Sequence, residues 1–220
     1  MRFFAAALAS VSIAIATAPY ASAADLQLKD PTSQIENLTP ENITAILTEL
    51  GAQQIETHAV EGGHKLVTFK DGEVPFNLGF GLCDVRPGSC LALIMVVGFD
   101  PGTTHYPLEL FNTFNRDNSF VSVVQLDGNK FAVSRMLFTD GGVSRKNVAL
   151  NIANFAAAPA EVMKFLTSQL VAGYDQGSAA QFQRASLGAA QPRMVPIAAA
   201  EMVAIVKAQR VPARSTFTGK

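Results

Sequence analysis

Charge of one sign, long apolar runs, histidine and cysteine are all scarce in this sequence, and each scarcity closes off a class of function. The 17 basic and 18 acidic side chains leave a formal net charge of −1 with no block of like charge, so nothing draws nucleic acid electrostatically. Past the N-terminus the longest apolar run, Leu91 to Phe99, is too short to cross a bilayer and suits a buried strand. The histidines are His58, His64 and His105, with no spare cysteine and no carboxylate at a ligand spacing beside them. Solvated strand histidines are therefore expected, with no metal site and no cofactor.

Catalytic signatures are missing as well. No Gly-x-Ser-x-Gly elbow occurs, and Ser89 lies in a turn with no helix start after it to supply an oxyanion hole. Gly79-Phe80-Gly81 is not followed by a helix N-terminus that could present amides to a phosphate, so strand packing accounts for it better. Asp100, Asp127 and Asp140 each stand beside glycine or proline in turns, where a structural role comes first. The chain is read as a non-enzyme with no catalytic residue. A hydrolase or transferase with a site assembled from distant residues is the competing reading.

What is present begins with residues 1–23: Arg2, an apolar stretch from Phe3 to about Ala16, and Ala21-Ser22-Ala23 before the expected cleavage after Ala23. The stretch falls short of the roughly 20 residues of a spanning helix, and Pro19 breaks its end, so a removed secretory signal is favoured over a retained anchor. The expected product is periplasmic or secreted, without a membrane span. In an oxidising compartment an even cysteine count points to pairing, so a Cys83–Cys90 disulfide closing the hairpin turn at Pro87-Gly88 is the first reading and a redox dithiol the second.

The apolar periodicity predicts an α+β domain in the order α-ββββ-α-ββ-α, with an antiparallel sheet of about six strands. Thr39 caps a first helix that ends at Gly51. Strands are expected near Gln54 to Val60, His64 to Lys70, Val74 to Cys83 and Cys90 to Val97, joined by glycine-rich breaks. A helix from about Thr104 to Asn115 follows, then strands Phe120 to Leu126 and Lys130 to Phe138 joined by Asp127-Gly128. A long helix capped by Ser144 carries Val148, Ile152, Phe155, Val162 and Leu166 in register and is expected to kink at Pro159. The resulting divisions are a signal at 1–23, an extension at 24–36, the domain at 37–172, and an Ala/Gln/Pro-rich flexible tail at 173–220. In that tail a linker runs to about Pro196 and a short helix over 197–210 is the one candidate element.

Phe111-Asn112-Thr113-Phe114-Asn115-Arg116, a strand, Asp127-Gly128, a second strand, and Gly141-Gly142-Val143 before the last helix together resemble the YbjN family, bacterial proteins described as sensory transduction regulators. The first helix and Cys83, Cys90, Leu91 and Leu93 fit the same pattern, so the likeness spans about residues 37–172. The resemblance implies a fold like that of type III secretion chaperones, a non-enzymatic module that binds an unidentified protein or peptide, and pairing as a homodimer. Asn112, Asn115 and Arg116 form the candidate polar binding corner, against a reading in which they cap the helix end and bond to carbonyls.

Overall fold

The computed structural model describes residues 26–60, 65–83, 90–174, 192–198, 200–202 and 205, with the backbone alone over 170–174. The signal segment, its cleavage point after Ala23, His64 and the Pro87-Gly88 turn lie outside the described residues.

The architecture is α+β. After a two-residue strand β1 (Gln34–Ile35) comes helix α1 (Pro40–Glu49). The chain then runs through β2 (Gln53–Ala59), β3 (Lys65–Asp71), β4 (Val74–Gly81), β5 (Ala92–Asp100), α2 (Leu108–Asp117), β6 (Ser122–Gln125), β7 (Phe131–Phe138), β8 (Val143–Ser144), α3 (Arg145–Tyr174) and β9 (Arg193–Val195). The main antiparallel sheet has 7 strands in the order β2-β3-β4-β5-β7-β6, with β9 also on β5, and β1 pairs with β8 apart from it. No helix among the described residues is long and apolar enough to cross a membrane.

Local chemistry accounts for most boundaries. Thr39 and Asn42 form a reciprocal capping box, with the Asn42 amide donating to the Thr39 hydroxyl at 3.3 Å and the Thr39 amide to Asn42 Oδ1 at 3.1 Å. Gly72, at φ 57°, takes the first central position of the two-residue β3–β4 turn, a backbone that other residues enter only with strain. The Ser144 hydroxyl accepts from the Asn147 amide at 3.2 Å, as a cap should, and α3 then runs without a break through Pro159.

Period-2 alternation sorts the sheet's two faces. Leu93, Met95, Val97 and Phe99 of β5 join Phe131 and Val133 of β7 against Ile43, Ile46 and Leu47 of α1, Phe111 and Phe114 of α2, and Phe155 and Val162 of α3. Each such buried Leu, Ile or Phe contributes about 1.5–3 kcal/mol. Ile94 and Val96 point the other way and form a second cluster with Leu66 and Ala132.

Three differences from the sequence reading have physical causes. Helix α2 starts at Leu108 rather than near Thr104, because Pro107 is extended (φ −59°, ψ 142°) and Tyr106 is held among Phe111 and Phe131. Strand β6 is shorter than Phe120 to Leu126: it begins at Ser122, and the Phe120 carbonyl bonds instead to the Arg135 side chain. A linker reaching to Pro196 was expected, yet Arg193–Val195 pairs with Gly98, Phe99 and Asp100, and Ile197, Met202 and Ile205 complete the second cluster. This seventh strand has no alternating pattern long enough to stand out; it forms because β4 parts from β5 beyond Val96 and leaves that edge open.

Candidate functional site

The thiols come first. Cys83 and Cys90 are joined in a disulfide just beyond the last β4–β5 register pair, Gly81 with Ala92. Cys90 also exchanges backbone hydrogen bonds with Leu38, at 2.8 and 3.3 Å, so the crosslink is tied to the chain entering α1. Among the described residues no three His, Cys, Asp or Glu side chains cluster. His58 lies 3.0 Å from the Thr68 hydroxyl and 3.5 Å from a Glu56 carboxylate oxygen, and His105 Nδ1 lies 3.1 Å from Asn129 Oδ1.

The three residues of the polar corner stand on α2 in separate surroundings. Asn115 donates from Nδ2 to the Val123 carbonyl at 2.8 Å and accepts the Val123 amide on Oδ1 at 2.7 Å. Its side chain thereby stands in for a neighbouring strand on the outer edge of β6. Arg116 is exposed and pairs with the adjacent Asp117 at 2.9 Å, a hydrogen bond and charge that raise its pKa. Asn112 is exposed. The helix end is capped by Asn118, whose Nδ2 and backbone amide both donate to the Phe114 carbonyl at 2.9 Å.

A different group of residues converges one strand away. Arg135, on β7, places Nε at 3.1 Å and Nη2 at 2.6 Å from Oδ1 of Asn151 on α3. Nη1 donates to the Phe120 carbonyl, and the guanidinium carbon stands 3.7 Å from the centre of the Phe120 ring. Asn151 is oriented by its own Nδ2, which donates to the Asn147 carbonyl at 2.9 Å and to Asn147 Oδ1 at 2.8 Å. Burial lowers the Arg135 pKa, though a guanidinium stays charged. No carboxylate among the described residues pairs with it.

This cation borders a surface groove of about 340 Å³ lined also by Phe120, Ser122, Met136 and Phe138. Phe120 is 36% and Phe138 47% exposed, so both rings present apolar surface to solvent at this groove. The arrangement can hold an extended or anionic group against aromatic surface. Sequence reasoning passed over Arg135, although a signal was there: in the alternation Phe131, Val133, Arg135, Leu137 it is the one charged residue in the inward register.

A protein-family model described as "YbjN: Putative bacterial sensory transduction regulator" matches residues 39–166, a span that holds both the disulfide and the Arg135 groove but not β9. No curated protein and no solved structure matches the chain.

Proposed function

This chain belongs to the YbjN family, and from that premise we propose that it is an exported, non-enzymatic regulator that works by binding another protein or peptide. The family's description as sensory transduction regulators supports a regulatory rather than a catalytic domain. The observation that carries the binding role is Arg135. A guanidinium fixed by Asn151 and stacked on Phe120, with no carboxylate of its own among the described residues, is a cation positioned ahead of a partner's arrival.

Export is supported by the leader pattern over residues 1–23 and by the Cys83–Cys90 crosslink, which persists in oxidising compartments and is rare in reducing ones. The test is crosslinking in living cells with mass spectrometry of what is captured, joined to N-terminal sequencing of the recovered protein. One or a few specific partners and an N-terminus at Ala24 are expected. No adduct above background would refute the binding role, and an intact Met1 on a pool with two free thiols would refute export.

A further inference from the structure

Among the places where a described strand stops short of its neighbour, two lie on β5 and β7. On β5 the gap beyond β4 is filled by the chain's own Arg193–Val195. On β7 the gap lies beyond β6, whose pairing ends at Ser122 with Ser134, while β5 continues to pair with β7 as far as Phe138. The hydrogen-bond phase shows which backbone groups this second gap leaves free. The Leu126 amide donates to the Lys130 carbonyl at 2.9 Å, so the even-numbered residues of β7 bond toward β6. The Thr139 amide donates to the Leu91 carbonyl at 2.9 Å, so the odd-numbered ones bond toward β5. The N–H and C=O of Met136 and Phe138 therefore face the open edge, and nothing among the described residues pairs with them.

The neighbouring edge is treated differently. Val123 points its backbone groups outward from β6, and the Asn115 side chain closes them. An exposed row of strand donors and acceptors is a template for another strand, and this chain blunts one stretch of the edge while leaving the next open.

We propose that the β7 edge at Met136 and Phe138 takes an extended acidic segment of a partner protein as an added strand. The inference rests on the reading of the chain as a binding module and names where and what it binds. Charge selects the occupant. An added residue opposite Leu137 projects toward the α3 side, diagonal to Arg135, within reach of its guanidinium through a carboxylate. Residues on either side of it face the other way, onto Met136 and the exposed Phe138 ring. The preferred segment thus alternates acidic with apolar residues.

The experiment uses two heptapeptides blocked at both ends, one alternating valine with aspartate and one alternating valine with lysine, titrated into the purified protein and followed by amide NMR. The expected result is that the Met136 and Phe138 amides shift and exchange more slowly with the aspartate peptide, which binds about tenfold tighter than the lysine one. Met136→Pro removes an outward-facing donor without touching the β5 pairing, and it should abolish the shifts while resonance dispersion stays native. Arg135→Gln, which keeps a hydrogen bond to Asn151, should level the two affinities. Equal binding of both peptides, or shifts that map elsewhere, would overturn the proposal. So would a dimer that Met136→Pro turns into a monomer with no peptide effect, which would seat a second copy there. A partner crosslinked in cells whose recovery is unchanged by Met136→Pro leaves the binding role standing and removes this site, whereas the absence of any captured partner removes the role itself.

Discussion

Gly98 has no room for a side chain. A Cβ there would come within 2.4 Å of Ile197 Cδ1 and 2.9 Å of the Val195 carbonyl oxygen, and the second neighbour is backbone that cannot rotate away. Gly98→Ala is therefore expected to unseat the 193–205 segment before it disturbs the helix-side core, at a cost of about 1–3 kcal/mol. Limited proteolysis should then cut the tail early, with the domain surviving. Glu49 is the second residue with an outsized role. It ends α1, where a negative charge opposes the helix dipole, and it is held there by Arg145 at 3.0 Å, both side chains being mostly buried (16% and 14% exposed). Glu49→Ala would strand a largely buried guanidinium whose Nε already lacks a partner among the described residues, so a loss of roughly 3 kcal/mol is expected in chemical denaturation.

Two elements are staples. The Cys83–Cys90 crosslink closes a short loop, and on the chain-entropy model it stabilises by about 2.5 kcal/mol. The double Cys→Ser variant should fold but melt lower, with the loss confined to the β4–β5 end and the Leu38 bridge in hydrogen exchange. Strand β9 and the residues after it cover the sheet face opposite the helices, where Leu66, Ile94, Val96 and Ala132 lie. Truncation after Tyr174 would bare that apolar face together with the β5 edge at Gly98 to Asp100. Concentration-dependent self-association is expected, visible by sedimentation, with the helix-side core retained.

On the scale of the whole molecule, aromatic contacts tie α2 and α3 to the sheet, with Phe111 at 5.3 Å from Phe131 and Phe155 edge-on to Phe76 at 6.0 Å, while α1 joins through Ile43, Ile46 and Leu47. Phe99 stacks on Phe131 at 4.8 Å and Tyr106 stands edge-on to it at 5.5 Å. Burial raises the Tyr106 pKa above its ordinary value of 10.0. The folded state thus holds the phenol proton more tightly than the unfolded chain does. Stability should be fully present below the unfolded phenol value and fall as pH rises from there through the folded value, and Tyr106→Phe should remove that fall. Thermal melts across the alkaline range, on both proteins, check the sign.

The elements with strong local codes are legible in the sequence: the Thr39 cap, the turns at Gly72 and Gly128, the alternating strands, and α3 with its phase kept across Pro159 all depend on neighbours a few residues apart. The cysteine pairing is legible too, since an even cysteine count and the turn between Cys83 and Cys90 favour it. Long-range geometry decided the rest. Arg193–Val195 becomes a strand only because β4 leaves β5 early, a fact of two segments a hundred residues upstream. Asn115 is an edge-sealing group because β6 happens to lie against α2, and the Arg135 guanidinium is fixed because Asn151 and Phe120 arrive from different elements. Sequence spacing encodes which face a side chain takes. What waits opposite that face is set by packing, and for this protein the groove and its open strand edge exist only there.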